Sequence, residues 1–199
     1  MMIQMVDAEV QRQAAALLAA CRAAGLRVAT AESCTGGLIA GALTAVAGSS
    51  DVVDRGFVTY SNAAKTEMLG IAPEMIAQVG AVSEAVARGM AEGALARAHA
   101  QLAVAVTGIA GPGGGSPGKP VGLVWFAVAA RRLPTVASSH VFDGDRGAIR
   151  TATVRTAMQL LQVAADRLSP SPAMPAAETD CSLEGSADGS GSDGLRKAS

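Results

Sequence analysis

The sequence predicts a three-layer α/β/α sandwich around a mixed, mostly parallel five-stranded sheet with one strand antiparallel. Three observations carry that expectation. Stretches with apolar residues at helical spacing alternate with short apolar runs suited to buried strands. Glycine, serine and proline punctuate them at short intervals. The last two strands are joined by a tight turn, and a parallel return would need a long crossover, so that pair is antiparallel.

The elements follow in chain order. A first helix is expected from Val6 to Ala24, with Val10, Ala14, Leu17, Leu18 and Cys21 on one face and Gly25 closing it. Leu26 to Ala31 reads as a strand. A second helix is expected to begin near Thr35 and end before Gly48. A second strand falls within Val52–Tyr60, centred on its Phe57–Tyr60 end. Ser61 or Asn62 caps a short helix that carries Lys65 and Met68 and closes at Gly70. Pro73 suits the first turn of another short helix. Ser83 and Glu84 open a longer one through Ala98. Leu102–Val106 is a small-residue strand, and Gly108–Lys119 a Gly/Pro-rich loop. Val121–Ala129 and Thr135–Phe142 form the last strands, turning at Arg131–Pro134. Asp145 caps a final amphipathic helix.

Half of the 199 residues are apolar, enough for one domain with a sizeable core. Aromatics make up only 3%, so there is little material for stacking bases, and a net charge of −1 gives no pull on a polyanion. The expectation is no nucleic-acid partner. No apolar run reaches the roughly 18 residues of a membrane span, and no signal pattern opens the chain. Cys21, Cys34 and Cys181 are odd in number and widely spaced, which fits a reducing, cytoplasmic setting and no structural metal. Composition shifts near Ser169. Residues 169–199 carry five acidic and two basic groups and hardly a large apolar one. Such a segment buries too little surface to offset its ordering entropy, so the folded domain is expected to span 1–168, followed by a disordered polar tail.

In an open α/β sheet, ligands gather where strands end and helices begin. Four segments have chemistry suited to that edge. In Glu32-Ser33-Cys34-Thr35-Gly36-Gly37 a strand ends, nucleophilic side chains follow, and two glycines open a helix whose free N–H groups suit an anion or an oxyanion. Ser33 and Cys34 are both candidate nucleophiles, and spacing alone does not choose between them. Glu32 is a candidate base or orienting group, and an N-cap role for Ser33 or Thr35 is the bland alternative. In Tyr60-Ser61-Asn62-Ala63-Ala64-Lys65, tyrosine and lysine reach the same edge. A lysine in a dry pocket loses stability as a cation and can serve as a general base. Thr107 and Gly108 end a strand at a glycine-rich loop able to wrap a ligand with backbone donors. Arg146 and Arg150 lie four apart at a helix start, where the helix dipole opposes cations, so a phosphate would suit them. His99 and His140 stand apart from any nucleophile, and a metal site from His140, Asp143 and Asp145 is not expected.

Together these segments resemble the CinA C-terminal domain family, the nicotinamide-nucleotide amidases also described as competence/damage-inducible-like proteins. The matching stretches are Thr30–Ile39, Gly48–Thr66, Gly80–Ala85, Thr107–Val128 and Phe142–Thr151. Each is modest evidence, but five in order are specific. The resemblance implies an α/β/α fold. It implies hydrolysis of the carboxamide of nicotinamide mononucleotide to nicotinate mononucleotide and ammonia, a step in pyridine-nucleotide recycling. The family's serine then falls on Ser33 and its lysine on Lys65, as a serine–lysine pair. Tyr60 would orient Lys65 or the amide. Backbone donors of Cys34, Thr35, Gly36, Gly37 or Gly108 would hold the oxyanion. Arg146 and Arg150 would take the 5′-phosphate, and Thr107 would line the pocket. No cofactor or metal is implied. The larger family proteins carry an extra N-terminal domain with pyrophosphatase activity, and that activity is not expected here. The partner expected is a small pyridine nucleotide, with a homo-oligomer possible. Two other readings stay open: a non-catalytic nucleotide-binding or competence/DNA-damage-linked adaptor, and an amidase acting on another small amide.

Overall fold

The structure, a computed structural model, describes residues 7–169. The expected polar tail and Cys181 lie outside the described residues. The elements run α1 (Ala8–Ala23), β1 (Val28–Glu32), α2 (Leu38–Thr44), a 3-10 turn (Ser49–Asp51), β2 (Val53–Val58), α3 (Asn62–Leu69), α4 (Pro73–Val79), α5 (Glu84–Ala96), β3 (Leu102–Gly108), β4 (Leu123–Ala130), β5 (Leu133–Val141) and α6 (Arg146–Leu168).

The five strands form one sheet in the order β2-β1-β3-β4-β5. β1 is parallel to β2 and to β3, whereas β4 is antiparallel to both of its neighbours. One strand of five therefore runs against the rest, as the sequence predicts.

The alternation of side chains along the strands builds two unlike faces. Val28, Leu102, Val104, Val106, Val124, Phe126 and Val128 point to one side, where they pack with α1, α2 and α6. Ala29, Ala31, Ala103, Ala105, Ala127 and Ala129 point to the other, beneath α3, α4 and α5. The alanine face lets α5 sit close to the sheet with its own Ala87, Ala91 and Ala94. Gly93 extends that closeness to α3, since a Cβ there would lie 2.3 Å from the Leu69 carbonyl oxygen.

Caps behave as the sequence predicts at most ends. Ser61, Ser83 and Asp145 each accept a backbone N–H at a helix start, Pro73 opens α4, and Gly70 closes α3 in the left-handed region; α1 starts at Ala8 rather than Val6, behind an Asp7 cap that the sequence reading does not predict. Four other boundaries differ. α2 begins at Leu38 rather than near Thr35, because Gly36 and Gly37 take φ of 60° and 97° and cannot continue a right-handed helix. β2 lies earlier than its expected centre because its partner β1 ends at Glu32; the last rung is Thr59 N–H to the Glu32 carbonyl, 2.8 Å. Gly108 belongs to β3 rather than to the loop, paired with Val124. The β4–β5 turn is two residues, Arg131 and Arg132, with Arg132 at φ 70°.

Candidate active site

β1 is the switch point of the sheet. From its carboxyl end the chain passes through α2 on one face to reach β2, then through α3–α5 on the other to reach β3. Loops diverge there and leave a crevice, the usual ligand position in open α/β sheets. Ser33 occupies it. Its N–H still pairs with the Val106 carbonyl at 3.0 Å, so the residue is held as a continuation of the strand.

The alternation that places Ala29 and Ala31 on the α3–α5 side carries on to Ser33. Lys65, from α3, meets it there. Lys65 Nζ lies 3.1 Å from Ser33 Oγ and donates to the Thr59 carbonyl at 2.9 Å. This lysine is only 1% exposed, among the most buried large side chains of the described residues. No carboxylate pairs with it among those residues. Loss of water depresses its pKa below the ordinary lysine value, opposed more weakly by the Cys34 thiol nearby.

Cys34 points the other way, into the α1/α2/α6 core, and is 6% exposed. Burial pushes its thiol up to about 11, far from a reactive thiolate.

Glu32 also faces that core and is fully buried. Its carboxylate accepts from the N–H groups of Gly37, Ile39 and Ala40 and from the hydroxyls of Thr35 and Thr30, at 2.7–3.2 Å. The start of α2 is thereby occupied by the protein's own anion. Gly36 N–H is likewise used, donating to the Ser33 carbonyl at 3.1 Å. Two of the four N–H groups from Cys34 to Gly37 thus have partners already. Those of Cys34 and Thr35 reach no oxygen acceptor among the described residues and lie against the Cys34 sulfur instead.

The remaining residues form the rim. Arg146 donates to the Tyr60 hydroxyl at 2.8 Å and to the Gly111 carbonyl at 3.0 Å, tying α6 to the β2–α3 link and to the glycine-rich loop. Tyr60 is 60% exposed, and its recorded partner is Arg146 rather than Lys65. Arg150 donates to the Thr35 carbonyl at 2.8 Å, while its buried Nε has no partner. A Cβ on Gly36 would sit 3.8 Å from the Arg150 guanidinium and 3.9 Å from the Tyr60 ring, so the three border one space. Thr107 follows Val106, the register partner of Glu32, and so flanks Ser33 on the neighbouring strand. It is 1% exposed, and its hydroxyl donates to the Ala81 carbonyl at 2.9 Å, tying β3 to the segment before α5.

The fold therefore gathers Ser33, Lys65, Tyr60, Gly36, Thr107, Arg146 and Arg150 at one edge, and turns Cys34 away. Among the described residues no three His, Cys, Asp or Glu side chains gather as a metal site. His140 instead stacks on Phe142 with ring centroids 5.6 Å apart. Sequence reasoning missed the backbone partners. The carbonyls of Thr59, Thr35 and Gly111 hold Lys65, Arg150 and Arg146, and a carbonyl carries no signature in the residue types.

The model of the CinA C-terminal domain matches residues 10–164. The chain belongs to the CinA C-terminal domain family. All the CinA segments above fall inside the matched span. Among its relatives is a protein of Escherichia coli K12 named nicotinamide-nucleotide amidohydrolase PncC. It is 50% identical over 157 residues, covering 79% of this chain and 95% of that one. A CinA-like protein of Mycolicibacterium gilvum is 52% identical over 153 residues, which make up 77% of this chain but 35% of that longer protein. The crystal structure of the competence/damage inducible protein CihA from Agrobacterium tumefaciens superposes with a TM-score of 0.79 at 52% identity, covering 82% of this chain and 99% of that one. No helix among the described residues is long and apolar enough to cross a membrane.

Proposed function

We propose that this protein hydrolyses the carboxamide of nicotinamide mononucleotide, releasing ammonia and nicotinate mononucleotide. The observation that carries the reading is the 3.1 Å approach to Ser33 Oγ of a buried Lys65 that no carboxylate pairs with among the described residues. The name of the Escherichia coli relative supports the same substrate.

A carboxamide resists attack because its nitrogen donates into the carbonyl, and amide nitrogen leaves poorly unless protonated. Both difficulties call for a group that first takes a proton and later returns it. Neutral Lys65 accepts the Ser33 hydroxyl proton as Oγ bonds to the amide carbon. The electron pair of the carbonyl moves to oxygen, where the N–H groups of Cys34 and Thr35, the two of the loop that no oxygen accepts from, would stabilise it. Lys65, now an ammonium, protonates the nitrogen; the C–N bond breaks and ammonia leaves. Water then loses a proton to Lys65 and attacks the ester carbon; the bond from that carbon to Oγ breaks, Lys65 returns the proton to Ser33, and nicotinate mononucleotide leaves. Tyr60 acts at the rim, where Arg146 holds its hydroxyl.

Among the described residues Arg146 and Arg150 have only neutral oxygen partners, and both stand where the α6 dipole disfavours a cation. A phosphate dianion corrects that imbalance and offers the several acceptors that guanidinium groups match. Hence a nucleotide amide suits this site better than a free one.

Ammonia release from nicotinamide mononucleotide by the purified protein is the test. Ser33→Ala should lower kcat by about 10⁴-fold or more with the fold intact, whereas Cys34→Ala should stay near the parent rate. The reverse pattern would make Cys34 the nucleophile, and no ammonia at all from the parent protein would end the proposal.

A further inference from the structure

The geometry points to Glu32 as the positioning residue that sets Ser33 for attack, by using its carboxylate in place of a bound anion at the start of α2. The inference rests on Ser33 being the nucleophile and concerns how that side chain is held.

Five donors converge on one buried carboxylate. Oε2 takes the Thr35 hydroxyl and the N–H groups of Gly37 and Ile39, and Oε1 takes the N–H of Ala40 and the Thr30 hydroxyl. Three of the five are the orphan N–H groups that every helix start must satisfy. Ordinarily a side chain just before the helix does this, but the residue at that place is Gly37, which has no side chain to cap with. Glu32 does it from the end of β1, five to eight residues upstream. The consequence is a closed loop. Its two ends are a sheet strand and a helix, joined covalently through Ser33–Gly37 and non-covalently through one carboxylate.

Ser33 is the first residue inside that closure. Its N–H is fixed to β3 and its carbonyl to Gly36, both by backbone bonds at 3.0–3.1 Å. With Glu32 anchored behind it and Gly36 ahead, little freedom remains in its φ and ψ, and Oγ is aimed across the sheet at Lys65. The anchor reaches the rim as well. Thr35 gives its hydroxyl to Glu32 and its carbonyl to Arg150. Glu32 does not face the lysine: it points to the α1/α2/α6 side, and Lys65 approaches from the α3 side. So the carboxylate acts on where the serine stands rather than on the proton affinity of the base.

The same contacts exclude an alternative. A ligand phosphate cannot sit at the start of α2, because Glu32 already fills it. The anion subsite of this crevice is left to Arg146 and Arg150.

The experiment compares Glu32→Gln, Thr35→Val and Ser33→Ala in steady-state ammonia release across pH. Gln keeps the shape but turns an N–H₂ group toward backbone N–H groups, so the cluster opens. A misplacement of about 1 Å costs a reaction about a hundredfold. Glu32→Gln is therefore expected to lose about a hundredfold in kcat. KM should stay within about threefold, and the midpoint of the limb that rises with pH should not move, at a temperature where circular dichroism shows the variant folded. Thr35→Val removes one of the five donors and is expected to lose kcat several-fold at unchanged KM. A folded Glu32→Gln variant with a rate within about twofold of the parent overturns the proposal. So does a loss accompanied by a shift of the limb that rises with pH, since that would mean the carboxylate tunes Lys65. If Glu32→Gln does not fold, Thr35→Val decides: unchanged kcat overturns the proposal, and a several-fold loss sustains it. Failure of the nucleophile reading looks different, because Ser33→Ala would then remain active.

Discussion

In the proposed reaction Lys65 is the residue on which the chemistry turns, and its environment has a measurable signature at the scale of one side chain. Burial favours the neutral amine, so its folded pKa lies below the unfolded one. Between those two values the unfolded chain binds more protons than the folded chain. Stability therefore rises with pH through that window, and is greatest above the ordinary lysine value. Lys65→Met should be inactive yet gain thermal stability relative to the parent at neutral pH, with the gap in Tm narrowing as pH climbs toward that ordinary value. A gap independent of pH would show that the lysine is not depressed. The rate follows the same sign: kcat/KM should rise with pH through the lowered lysine pKa, and Lys65→Arg should lack that limb because a guanidinium does not deprotonate.

Two elements deliver the site. α6 starts at Arg146 with Asp145 as its cap, the Asp145 carboxylate accepting the Ala148 N–H at 2.8 Å. Its first turn places both arginines over the crevice. A hydrogen bond to a charged group is worth about 1.5–3 kcal/mol. Arg146→Ala should therefore raise KM for nicotinamide mononucleotide about ten- to a hundredfold while leaving the rate on free nicotinamide little changed; equal effects on both would remove the phosphate from the account. α3 carries Lys65 and is held by α5. The two helices meet closely at Gly93 and the Leu69 carbonyl, where a Cβ would arrive at 2.3 Å. Backbone cannot yield as a flexible side chain can. Gly93→Ala should cost about 1–3 kcal/mol in denaturant titration, and should also lower kcat, because Lys65 lies one turn from Leu69 on α3. A neutral outcome would show that α3 shifts freely.

For the whole molecule, the core closes within the described residues. α6 buries Leu161 and Ala165 near its end, and both belong to the cluster shared with α1 and β4. Among the described residues, nothing in the site cluster comes from beyond Arg150. A chain ended at Ser169 is accordingly expected to keep kcat, KM and a single cooperative thermal transition. Lost activity would assign residues 170–199 a part in the reaction, and a lowered Tm would assign them a part in the fold.

Local patterns account for what was legible beforehand. Helical spacing, cap residues such as Ser61, Ser83 and Asp145, and the short β4–β5 turn depend on neighbours within a few positions, so the layers and the lone antiparallel strand could be read from residue order. The five ordered segments of the CinA family brought Ser33 and Lys65 forward as a pair, though nothing in their spacing of 32 positions required contact. Direction was not legible. Ser33 and Cys34 are adjacent, and which faces the lysine depends on the parity of β1 set by its register with β2 and β3. The Glu32 cluster, the Arg146–Tyr60 bond across 86 positions, and the carbonyls that hold the cations likewise need the chain folded back on itself. Periodicity is a property of neighbours along the chain. The catalytic geometry is a property of neighbours in space, chosen when burial and strand pairing fix one register among several that the same pattern allows.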